Sequence, residues 1–238
     1  MRRWLTISAL AGFLLLTAAC GSAERFQQEA SNELPGHVRL AEDAVRSYQK
    51  EHQKVPPLKR KSLDDPDYPL YVVDFEKIKP YIKEIPSTAF ESGGAFVYVI
   101  PDPYAKEVMV RVMDLRLMEK MRDLQGDVNA FHASEGRWPR GKKQGKEMYT
   151  LSFQAMDMEP VVIPSPYHAD FELPVLIDEK GRLHLDYRMD AMRNIQEKNK
   201  QPDKKEDLRN VLMEDHPYVP LYSPPMRYEK KEPVFVKK

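Results

Sequence analysis

Residues 114–139, DLRLMEKMRDLQGDVNAFHASEGRWP, decide the fold class because their apolar residues follow a helical period. Apolar side chains recur there at intervals of 4, 3, 4 and 3 residues, at Leu117, Met121, Leu124, Val128 and Phe131. This spacing places them along one face of a helix with 3.6 residues per turn. The pattern predicts an amphipathic helix from about Asp114 to Ser134.

A second helical pattern lies earlier in the chain, over residues 35–53. Its apolar face carries Val38, Ala41, Val45 and Tyr48, at intervals of 3, 4 and 3 residues. Both helices are followed by an apolar residue and a proline, Val55-Pro56 in one case and Trp138-Pro139 in the other, 83 residues apart. A repeated order of features at one offset indicates an internal repeat.

The segments after the two helices also correspond. Ile85-Pro86-Ser87 has a counterpart in Ile163-Pro164-Ser165, and each is followed by two strand-like runs, at 95–100 and 108–112 and at 171–177 and 183–187. Alternation of apolar and polar residues in these runs is typical of half-buried antiparallel strands. We therefore predict an α+β fold of tandem duplicated units, 35–113 and 114–188, each a helix packed on a small antiparallel sheet. The alternative is a chance likeness between two generic amphipathic patterns.

The last segment, 189–238, is predicted to be a degenerate third unit. A short helix is expected from Met189 to Asn199, with Met192 and Ile195 directed inward. Residues 203–206 read DKKE, which is a plausible capping box for a helix carrying Leu208, Val211 and Leu212. Residues 234–236 would supply a closing strand.

The N-terminal residues predict where the protein resides. Arg2 and Arg3 precede an uncharged run, Trp4 to Ala19, which is shorter than a comfortable bilayer span and ends at Cys20, the only cysteine of the chain. This arrangement resembles the lipobox of bacterial lipoproteins, although Thr17 stands where that family most often has leucine. The alternative is an ordinary secretory signal or an uncleaved anchor.

The resemblance, which extends to small lipoproteins of bacilli, implies both processing and location. Residues 1–19 would be a signal peptide cleaved between Ala19 and Cys20, Cys20 would carry a lipid with acyl chains such as palmitate, and 20–34 would be a tether. Two acyl chains hold a protein stably on a bilayer. The implied location is the outer, extracytoplasmic face of the cell membrane.

Charge and motif content exclude several functions. The 238 residues include 37 Lys and Arg and 37 Asp and Glu, so the net charge gives no support to nucleic-acid binding. Nucleotide-binding glycine loops, a nucleophile elbow and the His-Glu-x-x-His zinc motif are absent from the sequence. His184 with Asp186 and Asp190 comes nearest to a metal cluster, but a solvated strand edge explains these residues more simply. We predict no catalytic residue, no metal and no cofactor.

Tyrosines beside prolines are the candidate partner-binding residues: Tyr68, Tyr104, Tyr167, Tyr218 and Tyr222. Proline fixes the backbone, so a neighbouring tyrosine loses little entropy on binding and offers flat apolar area with a polar end. Alternatively, these clusters stiffen long loops and cover the edges of the core. Basic runs at 59–61 and at 142, 143 and 146 could contact anionic wall polymer or lipid headgroups, although solvated loops are the simpler interpretation.

The sequence predicts a lipid-anchored extracytoplasmic envelope protein with a non-enzymatic binding or scaffolding role. Its partner would be an envelope protein, a glycan or a small solute, besides the membrane itself. The alternative is a substrate-binding lipoprotein of an ABC-type transporter, for which the chain is short and lacks an alternating strand–helix order. A cell-wall hydrolase is the least favoured function because no nucleophile and base stand out.

Overall fold

A computed structural model describes residues 32–59, 63–64, 69–145 and 147–236. Helices and small antiparallel sheets are both present, so the predicted α+β class is confirmed. Among the described helices, none is both long enough and apolar enough to cross a bilayer.

The first part of the fold is a helix packed on a four-stranded antiparallel sheet. Helix α1 covers residues 32–51 in the described part of the chain. The sheet has the order β1-β2-β3-β4, and the short helix α2 follows β2. The elements are β1 Leu63–Asp64, β2 Pro69–Val72, α2 Phe75–Ile78, β3 Phe96–Ile100 and β4 Arg111–Asp114, with single 3-10 turns at Lys79–Tyr81 and Phe90–Ser92.

The second part repeats this order of elements. Helix α3, Leu115–Glu135, precedes a four-stranded antiparallel sheet with the order β5-β6-β7-β8. Its strands are β5 Arg140–Gly145, β6 Met148–Leu151, β7 Val175–Asp178 and β8 Leu183–Leu185, with a 3-10 turn at Gln154–Met156. The two parts share the order of their helices and strands along the chain and the order of strands within each sheet. The duplication itself stays a prediction.

Helix α3 illustrates how the local sequence sets an element's ends. The Asp114 side chain accepts a hydrogen bond from the Arg116 amide at the N-terminus, and Gly136 ends the helix with a φ of 68°. A short acceptor at the N-cap and a glycine in the left-handed region after the last turn are strong helix boundaries. The observed bounds lie within one residue of the predicted ones.

Each four-stranded sheet contains two strands that the sequence pattern did not predict. Strand β5 reads RGKKQG and is almost wholly exposed, so it has no alternating apolar face. It lies at the edge of its sheet and pairs with β6 through two register irregularities. Edge strands with lysines and bulges are common because they discourage pairing with other chains, and they carry little hydrophobic signal.

The predicted half-burial of the strands is wrong for β3, β7 and β8. All five residues of β3, all four of β7 and all three of β8 are buried. One face of the first sheet packs on α1 and α2 through Phe96, Tyr98 and Ile100. The opposite face, with Val97 and Val99, packs against a later segment that contains Met213, Val219 and Leu221.

Part of this later segment bridges the two sheets. Its two helices and its last strand lie close to their predicted positions, and the third unit itself stays a prediction. Helices α4, Arg188–Glu197, and α5, Leu208–Met213, join the core of the second sheet, and a separate hairpin of β9, Met226–Glu229, and β10, Glu232–Phe235, follows. Residues 217–222 pass between the two sheets: the Val219 amide donates to the Val112 carbonyl of β4 (3.1 Å), and the Leu185 amide of β8 donates to the Tyr222 carbonyl (2.9 Å). The segment thus covers one edge of each sheet.

The predicted capping box closes a turn ahead of α5. The Asp203 amide donates to Glu206 Oε2 (3.2 Å), while the Lys205 amide donates to Asp203 Oδ1 (2.8 Å). The N-cap of α5 is Asp207, which accepts from the Arg209 amide. The N-cap of α5 therefore lies four residues after the predicted one, because 203–206 satisfies its own backbone groups within a turn.

Candidate functional site

The structure separates the five predicted partner-binding tyrosines. Tyr68 lies outside the described residues, as do Ala19 and Cys20 of the predicted cleavage and lipidation site. Tyr104 is 80% exposed, whereas Tyr167 is 6% exposed and Tyr218 and Tyr222 are half-buried. These residues therefore do not form one exposed tyrosine surface.

Three of these tyrosines line the interior where the two sheets meet. The Tyr167 hydroxyl donates to the Tyr218 carbonyl (3.2 Å), and its ring packs edge-on against Tyr187. The Tyr218 ring contacts Phe96 of the first sheet, and the Tyr222 carbonyl accepts from β8. For these three, the structure favours the interpretation in which tyrosines cover core edges.

Tyr104 projects from a loop that is firmly attached to the body. Its neighbours Pro101 and Pro103 are buried, and the Tyr104 amide donates to Asp102 Oδ1 (3.0 Å). An aspartate turn between two fixed prolines limits the conformations of this loop. The aromatic ring is thus presented to solvent at a low entropic cost.

Tyr104 borders a groove that we call the Tyr104 groove, formed by residues 46–54 and 103–108. Its volume is about 680 Å³. One wall is the last turns of α1 and the turn that follows, and the other is the loop between β3 and β4. The side chains that line it are Arg46, Gln49, Lys50, Gln53, Lys54, Pro103, Tyr104, Ala105, Lys106, Glu107 and Val108.

The end of α1 places Lys54 in the groove wall. The Lys54 amide donates to the Gln49 carbonyl (2.8 Å), and the Gln49 side-chain amide donates to the Lys54 carbonyl (3.4 Å). Gln53 and Lys54 have φ values of 50° and 65°, in the left-handed region. Non-glycine residues there are uncommon and carry a backbone cost, which makes this helix end a strained feature beside the groove.

The charges of the groove are unevenly compensated. Arg46 pairs with Glu42 at 2.6 Å, and Glu42 also accepts from the Val110 amide. Lys50, Lys54 and Lys106 are exposed, and none has a carboxylate within 4.0 Å among the residues that the structure describes. Glu107 is the acidic residue of the lining, so the groove carries a positive excess.

A second cavity, of about 290 Å³, lies between α1 and residues 214–217. Its central residue, Arg111, is buried and donates to the Met213 and Val110 carbonyls (both 2.6 Å) and to Glu42 (3.1 Å). Burial lowers the pKa of this guanidinium, with Glu42 opposing the shift. Because these bonds join α1, β4 and the end of α5, we assign Arg111 a structural role.

A third cavity, of about 530 Å³, lies between the end of β5 and the hairpin β9–β10. Arg188 lines it but is already occupied: the guanidinium pairs with Asp186 (2.6 Å) and stacks over Phe235 (4.4 Å). This arrangement fixes the hairpin to α4.

Ser165 and Asp190 form a buried polar pair that resembles part of a catalytic site. The Ser165 hydroxyl donates to Asp190 Oδ1 (2.6 Å) and accepts from the Tyr167 amide (3.0 Å). His168 is bonded through Nε2 to the Asn194 side chain (3.0 Å), and its backbone amide donates to Ser165. A serine nucleophile needs a base on its hydroxyl, and here the hydroxyl proton is directed to a carboxylate in a loop-capping arrangement.

His184, Asp186 and Asp190, which come nearest to a metal cluster in the sequence, each have a different partner. His184 is buried with Nε2 3.5 Å from Asp178, Asp186 pairs with Arg188, and Asp190 bonds Ser165. Within the described residues, no group of three His, Cys, Asp or Glu side chains is arranged to hold a metal ion.

Sequence reasoning identified Tyr104 but missed the groove beside it. The available signal was the basic spacing at 46, 50 and 54, which repeats every four residues through the last turns of α1 and into the turn that follows. These residues face the loop 103–108 only because β3 and β4 pack against α1. The sequence does not reveal that packing.

The fold and the groove define an α+β protein with two four-stranded antiparallel sheets and a cationic groove on the first of them. Residues 35–114 match the model of the YphF family N-terminal domain, a bacterial family. This match covers about a third of the chain, includes both walls of the Tyr104 groove and ends one residue beyond the predicted first unit. No curated protein and no solved structure matches the chain.

Proposed function

We propose that the protein is a lipid-anchored component of the cell envelope, exposed on the outer face of the membrane, which binds a partner without catalysing a reaction. The observation that carries the binding role is the Tyr104 groove, where lysines that have no carboxylate partner among the described residues lie beside an exposed, rigidly held tyrosine. The anchor is supported by the lipobox-like sequence that ends at Cys20.

Exposed cations and an exposed aromatic ring support a binding role on physical grounds. Tyrosine provides contact area with little loss of side-chain entropy, and neighbouring charges give orientation and faster association. The loop that carries the tyrosine is held by the buried Pro101 and Pro103. Such a surface can bind a partner without rearrangement of the fold.

The substrate-binding alternative requires a ligand cleft between two lobes. The space between the two sheets is instead occupied by residues 213–221, whose Met213, Val219 and Leu221 pack on the first sheet. This packing makes the transporter component the less favoured proposal.

The anchor is tested by replacing the predicted lipid acceptor. In the full chain, Cys20→Ser is expected to abolish removal of residues 1–19 as a lipoprotein signal and the attachment of diacylglycerol to the new N-terminus, because the thioether cannot form. Mass spectrometry of the N-terminus and membrane fractionation after an alkaline wash measure the two effects. Protease digestion of intact spheroplasts measures exposure on the outer face.

The neighbouring substitution Ser22→Ala is the matched control and should leave lipidation and fractionation unchanged. Equal processing and equally firm membrane association of Cys20→Ser and the wild type would contradict the proposed anchor. Protection of the protein from external protease would contradict the proposed location.

A further inference from the structure

We infer that the Tyr104 groove binds a soluble polyanion in which phosphodiester groups alternate with short polyol units. This inference deepens the proposed binding function and rests on it for the groove's access to the cell envelope. The placement of the lysines, the exposed tyrosine and the concave shape of the site support this ligand.

The lysines favour a ligand with several negative charges. Lys50 and Lys54 lie on one wall and Lys106 on the other, and none has a carboxylate partner within 4.0 Å among the described residues. A single exposed ion pair contributes little because water screens it. A chain of anions that contacts both walls at once gains from each contact, since the later contacts form within one complex.

The spacing of the cations suits a repeating anion. Arg46 and Lys50 are separated by four residues of α1, or about 6 Å along the helix axis. A phosphodiester repeat with a three-carbon polyol spacer covers a similar length, so consecutive phosphates can face consecutive cations. Arg46 contributes less than the lysines because Glu42 already neutralises it.

Tyr104 accounts for the polyol part of the ligand. Its ring is 80% exposed at the edge of the groove and is held by the aspartate turn at Asp102. The face of an aromatic ring packs well against C–H groups, while its hydroxyl can bond to polyol oxygens. A purely inorganic anion would leave this ring unused.

The shape and position of the groove favour a soluble chain over a lipid surface. The cations line the two walls of a concave site, which a flat bilayer cannot enter. Residues 46–51 also lie at the end of α1 opposite Asn32, about 21 to 29 Å along the helix from it. The segment that leads to Cys20 joins the other end of this helix.

The test measures binding of a synthetic glycerol phosphate oligomer to the full-length lipidated protein in a neutral detergent. The triple variant K50Q/K54Q/K106Q is expected to bind at least about tenfold more weakly and to show a smaller dependence of affinity on salt. The matched control K180Q/K204Q/K205Q removes the same charge from exposed lysines outside the first unit and should bind within about twofold of the wild type. Circular dichroism and thermal unfolding verify that both variants are folded.

Three further binding measurements distinguish the glycerol phosphate oligomer from other anionic ligands. Monomeric glycerol phosphate should compete only at much higher concentration than the oligomer. Single-stranded DNA should bind more weakly than the oligomer, and phosphatidylglycerol vesicles added to protein in phosphatidylcholine vesicles should show no lysine-dependent association. Unchanged affinity in K50Q/K54Q/K106Q, an equal loss in the control triple, equal competition by the monomer, or preferred binding of DNA or anionic vesicles would each overturn the inference.

The outcome is distinguishable from failure of the proposed anchor. A Cys20→Ser protein that stays membrane-associated would contradict the anchor while leaving the oligomer measurement unaffected. Loss of lysine-dependent binding with normal lipidation would contradict the ligand and leave the anchor intact.

Discussion

Trp138 lies between two residues that restrict its ring from opposite sides. His132 stacks on it with ring centroids 3.6 Å apart and an interplanar angle of 14°. On the other side, a Cβ atom at Gly181 would lie 2.5 Å from the indole ring, and Gly181 has a φ of 81°. Glycine is therefore required there both by the close approach of the ring and by the backbone conformation.

We predict that Gly181→Ala destabilises the protein by about 2 kcal/mol, because it combines overpacking with an unfavourable φ. Urea unfolding followed by Trp138 fluorescence measures the change, and the native emission should shift as the ring moves. The control is Gly126→Ala in α3, where, among the described residues, nothing beyond the local helix backbone lies within 4 Å of the added methyl group. The control should stabilise the protein by up to about 1 kcal/mol, and equal effects of the two substitutions would contradict the prediction.

Asp190 is a buried carboxyl with incomplete hydrogen bonding. It is 1% exposed, Oδ1 accepts from Ser165, and Oδ2 has no hydrogen-bond partner in the part of the chain that the structure describes. Burial raises its pKa, while Ser165 and His168 oppose the shift and Asp186 adds to it. Because the folded-state pKa exceeds the unfolded value, protonated Asp190 stabilises the fold at low pH, and this contribution is lost as the pH rises through the folded-state pKa.

We therefore predict that Asp190→Asn stabilises the protein at pH 7 by about 1 kcal/mol, and that this gain shrinks toward pH 4. Unfolding free energies measured from pH 4 to pH 8 test both the sign and the trend. Asp186→Asn is the contrasting variant and should destabilise at pH 7, because Arg188 would lose its carboxylate partner. A pH-independent effect of Asp190→Asn would contradict the explanation.

At the scale of elements, residues 217–222 are the connection on which both sheets depend. This segment bonds β4 through Val219 and β8 through Tyr222, and it packs Leu221 against the first sheet. The Tyr187 hydroxyl of the second unit donates to the Leu221 carbonyl (3.1 Å). This extended segment therefore links the cores of the two sheets, both of which Leu117 of α3 also contacts.

We predict that Leu221→Ala lowers the free energy of unfolding by about 2–4 kcal/mol, because Leu221 is 3% exposed and its removal leaves a cavity between the sheets. Chemical denaturation measures the loss. The same substitution at Leu40, which is 43% exposed on α1, should change stability by less than about 0.5 kcal/mol. A similar cost at both positions would show that the bridge contributes little.

At the scale of the whole molecule, the helices were predictable and the burial of the sheets was not. The 4, 3, 4, 3 spacing in α3 and its Asp114 and Gly136 boundaries are local signals, so they survive without knowledge of the fold. Strand β5 has no apolar face because it is an edge, and β3 is buried on both faces because 213–221 covers it. The residues of β5 alone do not show that it is an edge strand, and those of β3 alone do not show that it is buried on both faces.

The candidate site divides in the same way. Tyr104 and the basic spacing at 46, 50 and 54 are visible in the chain, but the groove exists only where the end of α1 meets the loop 103–108. The exposure of Tyr104 and the burial of Tyr167 also differ although both follow a proline, because their environments are set by distant segments. Local composition cannot distinguish them.

By itself, the sequence determined the α+β class, the positions of the main helices and the expectation of a lipid on Cys20, because helical period, capping residues and a leader segment are all short-range patterns. The tertiary structure alone decided that the C-terminal segment joins the two sheets, that three of the candidate tyrosines face the interior and that cations from two distant segments share one groove. These properties arise from contacts between residues far apart in the chain, and such contacts depend on how the elements pack rather than on the residues beside them.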